Sequence, residues 1–430
     1  MSKYDKASLV MIPSAYKAEK LYSVLPENGN GDFTHDRNEG TATRVNKDGL
    51  IESVAADVPR LDYPLIDGVV QDCPALLLEP ATTNFLQYSE DFTQSEWSKT
   101  RVNTPVLQTS VIAPDGTTNV HLVTNNETGT SSIFDNEIGS STNSSTFSVF
   151  VKYYNLQYLM LRIDSPTRRV LFDIQNGSII EKNSDVTGTI KYYGNGWYRC
   201  SITHTALTAA GNAIIQLNES GTISDSNVST TGSGYYIFGA QYEVGSYTTS
   251  YIPTSGSTVT RNADVCNSAG TSAEFNDSEG VLYAEFSALA NDSTTRVITI
   301  NDTSNQLTER VQLFILGTSM YGRVTDGGTT QGQVIGTPTL TDNNKIAFKY
   351  KANDFALWIN GVEVDTSNSG STPSGLDTIR FDAGTGGSPL YGNLKETAIF
   401  KSALTDSELE SLTSWDSFNE MATSQLYTIR

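Results

Sequence analysis

The sequence predicts an all-β protein in which an irregular N-terminal arm is followed by two β-sandwich (jelly-roll) domains. Tyrosine (21) outnumbers phenylalanine (16), and Gly, Ser, Thr and Asn are abundant, which is typical of half-buried strands joined by many turns. Short runs of alternating apolar and polar residues recur after residue 83, separated by Gly, Ser and Asn clusters. Because 430 residues exceed what one core accommodates, we divide the chain into 1–83, 84–266, 267–415 and a tail, 416–430.

The first 83 residues differ in composition from the rest of the chain. Prolines at Pro59, Pro64, Pro74 and Pro80 punctuate the second half of this segment. Proline lacks a backbone N–H, so this density argues against long helices and central strands. We therefore expect an arm of extended segments that is ordered by partners, and sandwiches that fold without it.

Residues 84–266 contain seven alternating runs that predict the strands of a β-sandwich. The runs are HLVT (121–124), TFSVFVKYY (146–154), QYLMLRID (157–164), RVLFDI (169–174), GWYRCSITHT (196–205), NAIIQL (212–217) and YYIFGAQYEVG (235–245).

Residues 267–415 predict a second sandwich that closes with a strand and a helix. Two strands in KIAFKYKANDFALWINGVEV flank a turn at Asn360-Gly361. A later strand carries Leu394 to Phe400. Thr405 then precedes a short amphipathic helix, and Glu408, three residues on, completes a capping box.

These patterns resemble known domain families. The strand and helix of residues 391–414 resemble the closing segment of laminin-G-like and concanavalin-A-like jelly rolls, over roughly Gly280 to Ser414. FSVFVK, FDIQNGSI, GNGWYRCSI and YIFGAQYEVGSYTTSYIPTSG resemble carbohydrate-binding-module-like jelly rolls found on phage proteins. The resemblance implies domains that bind more often than they catalyse.

The N-terminal region resembles a module of structural proteins from tailed bacteriophages. The matching residues are Gly31, Phe33, Arg37, Ala42, Thr43, Arg44, Gly49, Pro59, Arg60, Asp62, Tyr63, Pro74, Leu78, Glu79, Pro80, Thr83, Asn84 and Tyr88. This resemblance implies a virion structural protein of the fibre or decoration type, anchored to other virion proteins by its arm.

Net charge and the N-terminal sequence narrow the classes of partner. The formal charge of −20 argues against nucleic acid or an anionic membrane as partner, since both demand a basic face. The N-terminus lacks an apolar core of signal-peptide length, and no run approaches a membrane span. Three widely spaced cysteines predict reduced thiols. We expect synthesis in the host cytoplasm and a final location in the virion.

No catalytic constellation stands out in the sequence. Core or surface packing is the better interpretation of His35, His121 and His204, and no nucleophile, zinc or phosphate-loop motif occurs. Glu285 and Glu396 alternate with apolar neighbours on strands, so we expect them to face solvent and not to form a glycosidase pair. The protein is therefore predicted not to be an enzyme.

Calcium is the one metal that the loop residues suit. Laminin-G-like domains hold Ca²⁺ with loop Asp and Asn oxygens, and Asp292, Asp302, Asp326 and Asp382 occupy predicted loops. Asp is also favoured in turns because it bonds its own backbone. No cofactor is required by this interpretation.

Aromatic side chains are the candidate ligand-binding residues, because sugars stack on exposed rings. Trp97 lies in a polar segment, SEWSKT, and is predicted to be exposed, whereas Trp197 and Trp358 are predicted to pack in cores. Adjacent tyrosines on a strand face opposite sides, so one of each pair should point outward. Tyr153 and Tyr235 are the candidates from these pairs.

The leading functional prediction is a non-enzymatic bacteriophage virion protein, a tail or head fibre or a decoration protein, that contacts host-surface glycans. By analogy with phage fibres we expect a homotrimer. The alternatives are a phage-borne polysaccharide depolymerase and a bacterial adhesin or lectin, which the absence of an export signal disfavours.

Overall fold

Nearly all regular structure in the protein is β-strand, which confirms the all-β prediction. The computed structural model describes residues 4–38, 41–130, 133–139, 141–163, 167–207, 210–224, 228–415, 417 and 421. No helix within these ranges has the length and apolar character needed to cross a membrane. Most of the predicted C-terminal tail, 416–430, lies outside the described residues.

The strands up to residue 84 are β1 (Ala7–Lys17), β2 (Lys20–Leu25), β3 (Thr34–Asp36), β4 (Ala42–Val45), β5 (Ile51–Val54), β6 (Leu61–Asp62), β7 (Leu65–Ile66), β8 (Val69–Val70), β9 (Ala75–Leu78) and β10 (Thr82–Asn84). The strands that follow, up to residue 267, are β11 (Trp97–Thr100), β12 (Val106–Leu107), β13 (His121–Thr124), β14 (Gly129–Thr130), β15 (Ile133–Ile138), β16 (Ser145–Tyr153), β17 (Tyr158–Ile163), β18 (Arg169–Asp173), β19 (Ser178–Lys182), β20 (Val186–Tyr192), β21 (Trp197–His204), β22 (Gly211–Asn218), β23 (Val228–Ser229), β24 (Gly234–Val244), β25 (Val259–Arg261) and β26 (Val265–Asn267).

The remaining elements are β27 (Glu279–Ala288), β28 (Arg296–Asn301), β29 (Arg310–Leu316), β30 (Ser319–Asp326), β31 (Thr329–Gly336), β32 (Asn344–Lys351), β33 (Phe355–Ile359), β34 (Val362–Ser367), β35 (Thr378–Arg380), β36 (Gly392–Phe400) and the helix α1 (Asp406–Thr413).

The first sandwich packs two six-stranded sheets face to face. Their strand orders are β11-β15-β22-β17-β18-β19 and β12-β13-β24-β16-β21-β20. Alternate residues of β16, such as Phe147 and Val149, meet Leu159 and Leu161 of β17 in one buried cluster. All seven strands predicted for this block are present, with ends that differ by at most one residue, because each run is rich in apolar, aromatic or β-branched residues and is bounded by turn residues.

The second sandwich packs a nine-stranded sheet against a five-stranded one. The main path of the large sheet is β2-β1-β36-β27-β32-β33-β34; β9 also pairs with β36, and β6 with β9. The small sheet has the order β31-β30-β29-β28-β35. Phe348 and Ile399 of the large sheet meet Ile300 and Leu313 of the small one in the core.

The N-terminal segment differs from the expected irregular arm. In β1, Val10 pairs with Ala398 of β36, while Leu9 and Met11 are fully buried in the core of the second sandwich. In β9, Leu76 pairs with Leu394 on the same strand β36. Residues 7–78 therefore supply strands to the sheet that the sequence pattern predicts for residues 267–415 alone. The prolines did not prevent this, because Pro59, Pro64, Pro74 and Pro80 lie between strands.

The end of the second sandwich matches the prediction. The Glu408 carboxylate accepts hydrogen bonds from the Thr405 backbone N–H and hydroxyl, both at 2.9 Å, which forms the predicted capping box. Leu409 and Leu412 of α1 are buried beside Phe400. The turn at Asn360-Gly361 is also present, with positive φ at both residues (52° and 85°).

Five buried charged residues join the N-terminal segment to the chain between the sandwiches. We call Arg37, Arg60, Glu79, Arg261 and Asp264 the junction network. Arg60 contacts both carboxylates of the network, Glu79 at 2.7 Å and Asp264 through its Nη2 and Nε atoms. Arg37 pairs with Asp264 at 3.1 Å, and Arg261 pairs with Glu79 at 2.9 Å.

Charge compensation keeps the carboxylates of the junction network ionised. Burial alone would raise the pKa of Asp264, but the charge and hydrogen bonds of Arg60 outweigh it, so this pKa lies below its usual value. Burial likewise opposes ionisation of Glu79, and the charges of Arg261 and Arg60 again lower its pKa. The N-terminal residues thus fix the two sandwiches to each other instead of extending away from them.

Candidate functional site

The small sheet of the second sandwich has one face in the core and one face directed away from it. Ile298 and Ile300 of β28 point into the core, so alternation places Val297, Thr299 and Asn301 on the opposite face. We call that opposite face, over β28 to β31, the outer face. Strands β29 to β31 add to it Arg310, Gln312, Phe314, Leu316, Tyr321, Arg323, Gln333 and Ile335.

The outer face is covered at one side and accessible at the other. The β28 residues are buried, and the Thr299 hydroxyl donates to the carbonyl of Asp382 at 2.7 Å. Towards β31 the face opens, since Leu316 and Ile335 are 51% and 41% exposed. The accessible part therefore lies over β29, β30 and β31.

An aromatic pair forms the centre of this accessible area. Phe314 of β29 and Tyr321 of β30 are cross-strand partners whose rings stack with centroids 4.9 Å apart and planes 10° apart. Phe314 is 6% exposed, while Tyr321 is half-buried and presents the reachable ring. Aromatic cross-strand pairs of this kind stabilise a sheet.

A row of polar side chains crosses the strands beside the aromatic pair. Arg323 donates through Nη2 to the Gln312 Oε1 atom at 2.7 Å. Gln312 in turn donates through Nε2 to the Thr299 hydroxyl at 3.1 Å. The Arg323 guanidinium also lies 4.5 Å from the centroid of the Phe314 ring, a cation–π contact. These contacts hold Arg323 in one place on the outer face.

Arg310 brings a second cation to the same surface. Its Nη1 atom donates to the carbonyl of Ala383 at 3.2 Å. Burial lowers the pKa of Arg310, and the neighbouring charge of Arg323 lowers it further; burial also lowers the pKa of Arg323. Among the residues that the structure describes, no carboxylate lies within 4.0 Å of either guanidinium.

The aromatic candidates from the sequence are dispersed, and two of the three are buried. Trp97 is fully buried and donates through Nε1 to the Tyr88 carbonyl at 2.8 Å, so the prediction of an exposed Trp97 is wrong. Tyr235 is also fully buried, in the core of the first sandwich. The ring of Trp97 is buried despite its polar sequence neighbours, and Tyr235 is the inward member of its pair, since Tyr236 is the partly exposed one. Tyr153 is 38% exposed, next to the edge-to-face pair Tyr154–Tyr236.

The predicted core packing of Trp197 and Trp358 is confirmed, and two of the three histidines, for which packing in the core or on the surface is predicted, lie in the interior. Trp197 and Trp358 are 1% and 6% exposed, and His121 and His204 are likewise buried. Burial lowers the pKa of both histidines, which favours their neutral form. None of these four side chains lies on the outer face.

The four aspartates proposed for calcium each accept hydrogen bonds from donors of their own. Asp292 accepts from Arg296 at 2.9 Å, and Asp302 from Asn305 at 2.7 Å. Asp326 accepts from the Ser371 hydroxyl, and Asp382 pairs with Arg380 at 3.2 Å. Within the described ranges, no three His, Cys, Asp or Glu side chains form a metal-sized group. Calcium binding stays a prediction.

Glu285 and Glu396 do not face solvent as the sequence suggested. They are 9% and 4% exposed, on the side of the large sheet that carries α1. They are also cross-strand partners in β27 and β36, and the next strand places Lys345 opposite Glu285. Asn343 donates to Glu285 at 2.7 Å. The alternation correctly predicts that both glutamates point away from the core between the two sheets. The sequence does not show that this side of the large sheet is itself covered.

The outer face was missed at the level of sequence. Its signal is present in the alternation of Arg310, Gln312 and Phe314, followed by Tyr321 and Arg323 after a turn. In each strand, the residues between the apolar positions share one face, and these positions include the residues of the outer face. Their convergence still depends on the register between β29 and β30.

The chain has only limited structural similarity to proteins of known structure. No protein-family model matches the sequence, and neither does any curated protein. Among solved structures, the chain is similar to the CBM40 domain of a Ruminococcus gnavus IT-sialidase, at 14% identity and a TM-score of 0.29, over 34% of this chain and 94% of that one. It is also similar to the NanB sialidase of Streptococcus pneumoniae, at 13% identity and a TM-score of 0.28, over 33% of this chain and 25% of that one.

A third similar structure is the receptor-binding domain of botulinum neurotoxin type G, at 13% identity and a TM-score of 0.26, over 31% of this chain and 37% of that one. Scores this low do not establish what this chain binds.

Proposed function

We propose that the protein is a non-catalytic glycan-binding protein and that the outer face of the second sandwich is its binding surface. The observation that carries this proposal is an accessible aromatic ring, Tyr321, held beside an ordered row of hydrogen-bonding side chains. Sugars are bound by a ring under their C–H face together with polar groups for their hydroxyls. Gln333 is exposed at the end of this row and supplies a further amide.

The rigidity of this surface favours binding. Arg323 and Gln312 are already fixed by hydrogen bonds and by the Phe314 ring, so little side-chain freedom is lost when a ligand arrives. A surface prepared in this way suits a weak, repeated contact with a polysaccharide, in which several copies of the protein act together.

The test is a glycan-array and affinity-electrophoresis comparison of the wild-type chain with Tyr321→Ala. We expect Tyr321→Ala to lose binding by about tenfold, since a stacked ring is worth about 1–2 kcal/mol. Tyr154→Ala is the matched control, because Tyr154 is an exposed tyrosine with a ring partner on the first sandwich. If Tyr154→Ala loses binding and Tyr321→Ala does not, the binding surface is the tyrosine cluster beside Tyr153 and our assignment is wrong.

The virion setting, the trimer and the host-surface location of the glycan are also proposals. They rest on the resemblance of the N-terminal residues to phage structural proteins. Several of the matching residues, including Arg37, Arg60 and Glu79, are buried in the junction network, so a contact with other virion proteins would have to use exposed residues nearby. Immunogold labelling of purified phage particles with an antibody to this chain tests the location, and light scattering tests the trimer.

Polysaccharide cleavage is a second candidate function, and one observation favours it. Glu285 and Glu396 are cross-strand partners, and such pairs have a spacing similar to that of the two carboxyls of a retaining glycosidase. Their burial opposes this function, because a sugar ring cannot reach them. We expect no release of reducing ends from bacterial capsule. Release that disappears in Glu285→Gln or Glu396→Gln, with unchanged thermal stability, would establish an enzyme instead.

A further inference from the structure

We propose that the ligand of the outer face is an anionic polysaccharide whose carboxylate or sulfate groups are bound by Arg310 and Arg323. This inference rests on the proposed function and specifies its ligand class. It depends on two cations that share one surface without a carboxylate partner among the described residues.

Within the described ranges, two arginines without a carboxylate partner lie on one surface of a protein whose formal net charge is −20. With 48 acidic residues available, a nearby carboxylate would be the ordinary neutraliser of a partly buried arginine. Glu309 directly precedes Arg310, yet its carboxylate accepts the backbone N–H groups of Gly327 and Ser374 instead. Arg380, at the edge of the same sheet, does have such a partner in Asp382.

Both guanidinium groups are partly removed from water while they stay charged. The Nε atoms of Arg310 and Arg323 are shielded from solvent and have no hydrogen-bond partner in the described structure. Asn301, the cross-strand partner of Arg310, has a buried Oδ1 atom that likewise accepts no hydrogen bond from a described residue. Burial without compensation is unfavourable for a charge, and a bound anion would offset that cost.

The chemistry of arginine defines the class of anion. A planar guanidinium forms paired, charge-assisted hydrogen bonds with the two or more oxygens of a carboxylate or sulfate. The adjoining Tyr321 ring and Gln333 amide suit the sugar that carries the anionic group. Repulsion by the negative charge of the remaining protein is screened beyond about 8 Å at physiological ionic strength, so it does not prevent local binding.

The test uses isothermal titration calorimetry of the full chain with four probes. Alginate carries carboxylates, dextran sulfate carries sulfates, dextran is uncharged, and poly-L-glutamate carries carboxylates without sugar. We expect alginate or dextran sulfate to bind at least about tenfold more tightly than dextran, because each charge-assisted contact contributes about that factor. Which of the two binds identifies the anion.

Two variants locate the binding, and a third controls for net charge. Arg310→Gln and Arg323→Gln should each weaken binding of the anionic glycan about tenfold. Lys351→Gln removes one positive charge from the other sheet of the same sandwich, where Lys351 pairs with Glu279 at 2.8 Å, and it should leave binding unchanged. Near-ultraviolet circular dichroism confirms that each variant is folded. Because Arg310 makes no ring contact among those described, Arg310→Gln tests the inference even if Arg323→Gln disturbs Phe314.

The outcomes separate the two proposals. Dextran binding as tight as that of the anionic glycans, lost in Tyr321→Ala, would overturn the anionic ligand and keep the glycan-binding function. Arginine-dependent binding of poly-L-glutamate without binding of any polysaccharide would keep an anion site and overturn the glycan-binding function. Equal losses in Lys351→Gln, or no binding of any of the four probes, would overturn the inference.

Discussion

Arginine serves two different purposes in two regions of this molecule. In the junction network, Arg37, Arg60 and Arg261 are almost completely buried, and each lies against Glu79 or Asp264. On the outer face, Arg310 and Arg323 are half-buried and contact carbonyl or amide oxygens and a ring. The arginines of the junction network contribute to the fold, whereas we propose that the two arginines of the outer face bind a ligand.

The comparison predicts opposite results for stability and binding. Substitutions in the junction network should lower the free energy of unfolding, irrespective of where the ligand binds. Changes on the outer face should leave the fold intact and alter binding alone. The following experiments test this contrast, beginning with the largest effect.

Deletion of residues 1–83 should prevent the second sandwich from folding properly. The deletion removes β1 and β9 from their places beside β36, and it leaves Asp264 without Arg37 and Arg60. We expect an aggregation-prone chain, since the exposed edge of β36 is long and apolar. Solubility and thermal melting measure this, with deletion of residues 1–5 as the control. A soluble chain that starts at residue 84 and melts cooperatively near the parent temperature would show that the N-terminal segment is a separable arm after all.

Arg60→Met should lower the free energy of unfolding by about 3–5 kcal/mol, because it leaves Glu79 and Asp264 partly uncompensated in the interior. Urea denaturation provides the measurement. Lys47→Met is the control, since the fully exposed pair Lys47–Asp48 should contribute little to stability. A loss for Arg60→Met as small as that of the control would mean that the network does not hold the junction together.

Stability should decrease as the pH falls from 6.5 to 4. Burial lowers the pKa of His35, beside the junction network, to about 4 from 6.5, so the unfolded chain binds a proton that the folded chain excludes. The expected decrease is on the order of 1–3 kcal/mol. Below about pH 4.5, protonation of Glu79 and Asp264 removes further stability, because the pKa of each is lowered by folding. Urea unfolding at pH 7, 5.5 and 4 measures the free energy of unfolding. In His35→Gln this free energy should depend less on pH in the upper part of that range. An unchanged slope in that variant would exclude His35 as the cause.

Arg310→Gln should change the free energy of unfolding by no more than about 0.5 kcal/mol, because it removes an uncompensated charge and one hydrogen bond. Arg296 is the matched arginine in the same sheet: it is 1% exposed and pairs with Asp292 at 2.9 Å. Arg296→Gln should therefore cost about 1–3 kcal/mol. If both variants melt alike, the absence of a carboxylate partner does not distinguish a binding arginine from a structural one.

The sequence by itself determined the elements whose signals are local. The alternating runs fixed the strands of the first sandwich, Asn360-Gly361 fixed a turn, and Thr405 with Glu408 fixed the start of the helix. Each of these elements depends on residues a few positions apart, so it can be predicted without knowledge of distant contacts.

Tertiary structure alone decided which surfaces meet. Only the pairing of β1 with β36, 380 or more residues apart, shows that the N-terminal segment belongs to the second sandwich. Only the fold reveals that Trp97 is covered and that Glu285 lies against Glu396. The candidate site is of this kind as well, because the register between β29 and β30 is what places Arg323 on the same face as Arg310 and Phe314. Burial and charge compensation are properties of neighbours in space, and a linear pattern does not specify those neighbours.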